Sequence, residues 1–481
     1  MKVLKFGGTS VGNREAIEQV VAIIRREAAT APLVAVFSAM GDTTDRLLDI
    51  ARLAVRQRLD DAMQRLSDLR RRHFIQARAL IRHDDTFQSL RDTLSMYFVR
   101  IEQMALSLSV LQDFSPRVQD EFLAHGELLS TRLLQAVLAE RGLPAVWLDS
   151  RRIIKTDATY TEAVPDMAAS REAVAAQVRP LLERGQIPVL QGFIGADAEG
   201  NTTTLGRGGS DYTAALLGRL LPADEVQIWT DVDGILTADP TLVPDARLVE
   251  RLSYREAAEL AYFGARVLHP KTIAPAMERH IPVWVRNIAR PDRRGTCILP
   301  EAGSSGDPVK SIAYKEDITL ITIVSTRMFK AHDFLRRVFD VFDRYQTAVD
   351  LVSTTEVSVA LAIHRIPHRE RIVEELQQFG SVEWQVGKAI VCVVGEQLRG
   401  RSSIAGDILA AVAPHPISMI SLGGSEINIS FVCDEQALPE VIPQLHRRFF
   451  AKRPDCCNGQ AATSLTKRDE HHPLAMREAS R

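Results

Sequence analysis

Met1 to Gly12 reads MKVLKFGGTSVG. Val3, Leu4 and Phe6 form a short apolar run that breaks on Gly7 and Gly8. Thr9 and Ser10 follow, and from Asn13 a helical pattern begins. A strand running through glycines into a helix start has two readings. It is an anion cradle, because glycine lets the backbone approach closely and the free N–H groups and helix dipole favour phosphate, or it is an ordinary strand-to-helix turn. Lys5 precedes the glycines, whereas in a Walker-type loop the lysine follows them, so this is not such a loop. The rest of the chain decides between the two.

With 481 residues, the chain has room for two or three domains and a real core. Its composition is 46% hydrophobic and 25% charged, with a net charge of −2. That balance gives no general attraction to nucleic acid or membrane surfaces. No run approaches a membrane span, and the charges and glycines at the start do not read as a signal peptide. The five cysteines (Cys297, Cys392, Cys433, Cys456 and Cys457) are scattered without metal-ligand spacing. A sparse, odd set of thiols points to a reducing, cytoplasmic setting.

Asn13 is a suitable N-cap, and Ile17, Val20, Val21 and Ile24 repeat at helical spacing, which predicts an amphipathic helix over 14–29. Leu33 to Phe37 read as a buried strand ending in Ser38-Ala39-Met40-Gly41-Asp42-Thr43-Thr44, a second small polar turn before a helix. Strand–helix–strand over such a short length implies a right-handed crossover and a parallel sheet. Residues 45–141 are helical in pattern, and the charges over 56–100 read as solvated faces. Within 119–141, QDEFLAHGELLSTRLLQAVLAER, Gly126-Glu127 interrupt an otherwise apolar face. Glycine costs about 1 kcal/mol inside a helix, so its place beside an acid invites a functional explanation.

Pro144 to Leu148 and Ile187 to Ile194 read as strands, the second leading into a hairpin-like turn at 195–200. Next comes Thr202 to Asp211, TTTLGRGGSD, with Ser210 or Asp211 expected to cap the following helix. Three glycines around Arg207 at a helix start read as a second anion site, the alternative being a purely structural turn. Val226 to Thr230 read as a buried strand ending in Asp231-Val232-Asp233-Gly234. Open parallel sheets bind ligands outside the carboxyl ends of their strands. Four such ends converge here, at 7–10, 38–44, 205–211 and 230–234. Two helices are expected over 254–280, with His269 read as structural, and Ile281 to Ile288 are expected to close the sheet.

Pro300 to Pro308 mark a boundary. The predicted organisation is a first domain over 1–300, a linker over 301–310 and a second domain over 311–455. Residues 456–481 lack periodicity and read as a disordered tail. The second domain holds an internal repeat offset by seventy residues: Phe334 to Phe342 align with Ile404 to Val412, and Val349 to Val359 with Met419 to Ile429. Each copy reads as strand, helix, two strands, helix, strand, an α+β module.

The motifs KFGGTSVG, SAMGDTT, HGELLS, TTTLGRGGSDYTAALLG, WTDVDGILTADP and YFGARVLHPKT stand in the order found in aspartate kinases, and the paired modules resemble the tandem ACT modules that regulate those enzymes. The resemblance covers roughly residues 1–450. It implies an α/β amino acid kinase fold (an open, mainly parallel sheet between helices) followed by two α+β ACT-type modules. It also implies ATP with Mg2+, L-aspartate as substrate and 4-phospho-L-aspartate as product, the first step of the aspartate-family amino acid pathway. By this resemblance, Lys5 neutralises the transferring phosphoryl group, and Gly7, Gly8, Thr9 and Ser10 surround the phosphates. Ser38 and Thr44 line the aspartate site, Glu127 takes the substrate ammonium, and Arg207 clamps a substrate carboxylate. Asp211 organises Lys5, while Thr230, Asp231, Arg266 and Val267 contact the nucleotide. No metal site built from protein ligands is expected. A substrate carboxylate with a pKa of about 3.9 is already ionised at neutral pH, so this chemistry needs no general base.

Two departures stand out. Aspartate kinases usually carry Tyr and Arg in a GxYTxDPR loop, where this chain has Leu236 and Thr241. Loss of a phosphate-reaching cation weakens nucleotide binding, with Arg266 a partial replacement. The other departure concerns feedback. Phe334, Leu335, Val349, Asp350, Thr355 and Glu356 resemble the effector site of the lysine-sensitive branch, with the two acids suited to a cation. Yet Asp333 stands where those enzymes keep glycine. Lysine inhibition, insensitivity and threonine or another effector stay open. So do two alternatives to the leading reading: an amino-acid sensor with weakened kinase activity, and another carboxylate kinase of the same fold. ACT pairing between subunits implies a homodimer or larger homo-oligomer.

Overall fold

The computed structural model describes residues 1–264, 268, 270–303, 308–324 and 331–451. Strands β1 (Lys2–Phe6) and β2 (Leu33–Phe37) pair in parallel, with α1 (Arg14–Ala28) crossing between them. Asn13 caps α1 by accepting from the Ala16 N–H at 2.8 Å. Four long helices follow: α2 (Thr43–Val55), α3 (Leu59–Leu80), α4 (Asp84–Leu111) and α5 (Pro116–Glu140). After them come β3 (Ala145–Trp147), α6 (Met167–Gln177), α7 (Arg179–Glu183) and β4 (Ile187–Gln191). A hairpin of β5 (Ile194–Ala196) and β6 (Thr202–Thr204) precedes α8 (Gly209–Leu220) and β7 (Glu225–Thr230). The remaining elements are β8 (Arg251–Ser253), α9 (Tyr254–Tyr262), α10 (Pro270–Met277), β9 (Val283–Asn287) and β10 (Thr296–Leu299).

The main sheet runs β3-β4-β2-β1-β7-β9-β10-β8, and its first six strands are parallel. Against expectation, β9 does not close it. β10 pairs antiparallel with β9, and β8 adds beyond β10. Strands of three and four residues are too short for alternation to betray them in the sequence. Side chains alternate between the two faces. Leu4, Phe6, Ala35, Phe37 and Trp229 pack among the apolar residues of α1 to α5, whereas Val3, Val34, Val36, Val226 and Ile228 pack with those of α8, α9 and α10. Lys5 shares its face with Val3, the side on which α8 lies.

The second sheet is built from β11 (Val309–Val324), α11 (Ala331–Arg344), β12 (Leu351–Thr354), β13 (Ser358–His364), α12 (Arg369–Leu376) and β14 (Ser381–Gly395), then α13 (Ser402–Val412), β15 (Ile417–Ser421), β16 (Asn428–Asp434) and α14 (Leu438–Phe450). Its order is β12-β13-β11-β14-β16-β15. The first copy of the repeat has the expected element order, but the second differs. Among the described residues no strand follows α14. Instead, the first half of β11 lies beside the second half of β14, while the second half of β11 pairs with β13 and the start of β14. The registers shift between Lys315 and Ile318, and Asp317 there has φ +62°. Two long, locally broken strands thus serve both copies, which are interlocked rather than serial.

Contacts join the two sheets. Lys310 and Glu256 form an almost fully buried ion pair at 3.2 Å, Thr237 Oγ1 meets His446 Nε2 at 2.9 Å, and Asn428 donates to Glu259 at 2.6 Å. Cys297, Cys392 and Cys433 are buried free thiols; Cys456, Cys457 and the expected tail lie outside the described residues. Among the described residues, no helix is long and apolar enough to cross a membrane.

Candidate active site

A cleft of about 340 Å³ opens beyond the carboxyl ends of β1 and β2, lined by Lys5, Gly8, Ser38, Thr44, Glu127, Phe193, Arg207 and Asp211 among others. It brings together side chains separated by more than two hundred residues. Lys5 Nζ lies 2.6 Å from Asp211 Oδ1, both side chains being only 11% and 14% exposed. The strand's alternation turns Lys5 towards α8, and Asp211 sits in the first turn of that helix, where the dipole favours an acid. The expected cap is therefore corrected. α8 has Gly208 at its N-cap, with φ +72° and no side-chain bond, which leaves Asp211 free for Lys5. Ser210 instead accepts from Ser38, Oγ to Oγ at 2.9 Å.

Two close approaches need glycine. A Cβ on Gly8 would stand 2.8 Å from the Gly41 carbonyl oxygen and 3.0 Å from that of Ala39, so the first two turns could not nest. The Gly41 N–H donates to the Gly8 carbonyl at 2.9 Å. A Cβ on Gly126 would meet Ala39 Cβ at 2.9 Å. Gly126 therefore has a packing role: it lets α5 press against the 38–44 turn and carries Glu127 into the cleft. Glu127 Oε1 accepts from the Ala39 N–H at 3.2 Å, while Oε2 is buried with no protein partner. Burial pushes the Glu127 carboxyl up to about 8, the Ala39 bond only partly opposing it. An unpaired buried carboxylate invites a cation.

Arg207 is exposed, with no ion pair among the described residues, in a loop bounded by Gly206 (φ +75°) and Gly208. An arginine side chain in that position can grip a carboxylate or phosphate bidentately. Lys5, Arg207 and the backbone around Gly8 give the cleft its positive side, and Glu127 gives it an acidic pocket.

The other expected residues are placed differently. The Gly7 N–H is engaged with the Trp229 carbonyl at 3.2 Å, and Ser10 is buried and donates to the same carbonyl, so both brace the turn rather than face the cleft. Thr9 is exposed beside it. Thr230 ends β7 and Asp231 follows it, with Thr230 Oγ1 donating to Asp231 at 3.1 Å. Arg266, Val267 and His269 lie outside the described residues. The 231–234 turn is held by residues the motifs did not single out: Asn287, Arg290 and Arg293 all bond Asp233, at 2.6, 2.7 and 2.9 Å. Phe193 was also missed; it lines the cleft with φ +71°. Its signal was an aromatic flanked by glycine just past a buried strand.

In the second sheet, Phe334, Leu335 and Val349 pack against an apolar cluster around Val338 and Phe342. Thr355 closes the turn between β12 and β13 by bonding Ser358, and Glu356 is exposed at its tip. Asp350 already has partners: Lys315 Nζ at 2.5 Å and the His364 N–H at 2.8 Å, with only 4% of its side chain exposed. Lys315 also lies over the Tyr262 ring at 4.7 Å. The Asp333 side chain lies outside the described residues. Among the described residues, no group of three acids, histidines or cysteines could hold a metal.

The model of the amino acid kinase family matches residues 1–287, and an ACT-domain model matches residues 391–449. Lysine-sensitive aspartokinase 3 of Escherichia coli is 35% identical over 93% of this chain and 99% of its own. The crystal structure of E. coli aspartokinase III in complex with aspartate and ADP, in the R-state, superposes with a TM-score of 0.81, at 34% identity, over 94% of this chain and 100% of that one. The T-state complex of the same enzyme with lysine and aspartate gives 0.78, at 34% identity, over 94% and 99%.

Proposed function

The chain belongs to the aspartokinases of the amino acid kinase family, and from that membership we propose how its cleft divides the work. The reaction is ATP-dependent phosphorylation of L-aspartate. An oxygen of the side-chain carboxylate attacks the γ-phosphorus, the O–P bond forms as the bond to the ADP oxygen breaks, and 4-phospho-L-aspartate leaves. The nucleophile is ionised at neutral pH, so no proton must be taken from it. The task is to bring two anions together in line.

Lys5 neutralises the transferring phosphoryl group, held in place by Asp211. The backbone at Gly8 approaches the phosphates, while Thr230 and Asp231 contact the nucleotide. Ser38 and Thr44 line the substrate pocket. Glu127 takes the substrate ammonium and Arg207 a substrate carboxylate. The observation that carries this division is the buried Glu127 carboxylate, which has no cation among the described residues and shares a cleft with Arg207, which has no ion pair among them. An α-amino acid offers the two charges those groups lack.

Mg2+ usually keeps several waters and is held by substrate phosphates with one or two carboxylates. A metal of that kind would be carried by ATP rather than caged by protein, and Asp211, the cleft carboxylate beside Lys5, would be the side chain to approach it. Its chemistry would be charge neutralisation on the phosphates.

Residues 1–300 form the catalytic unit and 311–455 the regulatory one, joined by a linker over 301–310. Lysine is the effector of the regulatory unit, supported by the lysine complex of the E. coli relative and by Asp350 and Glu356. The enzyme works in the cytoplasm as a homodimer or larger homo-oligomer.

Hydroxylamine trapping tests the whole reading. Aspartyl hydroxamate should form only with both ATP and L-aspartate present. Its absence, or equal yield with another carboxylate, overturns the assignment.

A further inference from the structure

Asp120 lies in α5 two turns before Glu127, on the same side of the helix, about 10 Å along its axis. It is fully buried, and no cation pairs with it among the described residues. Such a carboxylate is costly, so what it binds shows why it is there. Asp120 Oδ2 accepts from the backbone N–H groups of Thr161 at 2.9 Å and Thr204 at 2.8 Å, and Oδ1 accepts from the Thr204 hydroxyl at 2.7 Å. Thr204 ends β6, three residues before Arg207. Thr161 has φ +73°, an unfavourable value for a β-branched residue, and its carbonyl lies against Gly206. The neighbouring Glu121 accepts from the Thr202 hydroxyl, and Thr203 meets Thr156, Oγ1 to Oγ1, at 2.7 Å. All three threonines of β6 are thereby tied down, two of them to α5.

We propose that Asp120 is a positioning residue for substrate recognition, fixing the Arg207 loop to the helix that carries Glu127. The spacing between the group that meets the substrate ammonium and the group that meets its carboxylate is then set by one rigid unit. The inference rests on the roles given to Glu127 and Arg207 above. With no cation opposite, Asp120 works through acceptor geometry and not through charge. Asparagine could accept both N–H groups with its carbonyl and donate to the Thr204 hydroxyl.

The test is steady-state kinetics on the full chain. Asp120→Ala should raise KM for aspartate about 10- to 100-fold, the range expected for a misplaced binding group, and leave KM for ATP near the parent value. Asp120→Asn should restore most of the loss. On an Arg207→Ala background, Asp120→Ala should add little. Where Asp120→Ala does not fold, Thr204→Val removes one bond at constant shape and should give a smaller rise in aspartate KM alone. The inference is overturned if the KM values for aspartate and ATP rise together, if the penalty persists without Arg207, or if asparagine is as poor as alanine. Arg207→Ala alone reports on the underlying reading. An unchanged aspartate KM in that single variant removes the role of Arg207 itself.

Discussion

Lys5 Nζ lies 2.6 Å from Asp211 Oδ1, so the ammonium reaches the cleft with its orientation already set. In the proposed role of Lys5, an incoming phosphoryl group would share a cation that need not be reorganised, which is how a fixed charge lowers a barrier. Leu4 and Phe6 pack on the face of β1 opposite to Lys5, so Lys5→Ala should leave their packing intact. Turnover should fall by at least about 10²- to 10³-fold, with the circular dichroism spectrum unchanged. Near-normal activity in that variant would sink the role of Lys5.

Glu127 gives a pH signature. Its carboxyl rises from 4.5 to about 8 on folding because burial opposes the charge. Between those values the unfolded chain has released a proton that the folded chain keeps. The folded state binds more protons there, so this group's contribution to stability falls as pH rises through the window. Glu127→Gln should therefore raise Tm relative to the parent more at pH 8 than at pH 5. Aspartate binding runs the other way. The ammonium needs the ionised acid, so KM for aspartate should fall as pH is raised from 6 to 8 in the parent and stay high and flat in the variant. Parallel pH profiles for the two proteins would remove Glu127 from ammonium recognition.

Thr241 stands at the position where the GxYTxDPR loop of aspartate kinases usually has arginine, and both its N–H and its hydroxyl bond Asp239, at 2.8 and 2.6 Å. Asp239 also accepts from the Tyr314 hydroxyl at 3.1 Å, so the loop is tied to β11. Thr241→Arg should return a phosphate-reaching cation. A charged hydrogen bond contributes about 1.5–3 kcal/mol, so KM for ATP should drop about tenfold or more. An equal KM in parent and variant would show that this position is immaterial.

Much of this was legible in the sequence because the signals were long or chemically distinctive. Of the parallel strands, β2 is a continuous apolar run, β1, β4 and β7 are buried runs broken by single polar or charged residues, and each is followed by a turn of glycine or small polar residues. Lys5, Glu127, Arg207 and Asp211 stood out as charges where apolar or small residues prevail. The less legible parts depended on tertiary partners. Gly126 looked functional beside its acid, but Ala39, nearly ninety residues away, explains it. Ser10 looked like a phosphate ligand until its partner proved to be the Trp229 carbonyl. The interlocking of β11 and β14 follows from which half of a long strand meets which neighbour, and no local pattern encodes that.

Asp350 was singled out as an acid for a cationic effector, and the structure adds a competitor. Lys315 holds one of its oxygens and the His364 N–H the other. A lysine effector must share or displace that tethered ammonium, so Asp350 and Lys315 should have opposite influences. Asp350→Asn removes a charged partner and should raise the lysine concentration for half-inhibition about tenfold or more, by the same 1.5–3 kcal/mol reasoning. Lys315→Met keeps an apolar stem beside the Tyr262 ring but frees the carboxylate, and should lower that concentration. Titration of activity with lysine, each variant normalised to its own uninhibited rate, measures both shifts. Shifts in the same direction would show that the Lys315–Asp350 pair only supports the sheet. A parent enzyme indifferent to lysine would remove the effector assignment altogether, because no competition at Asp350 could then be read.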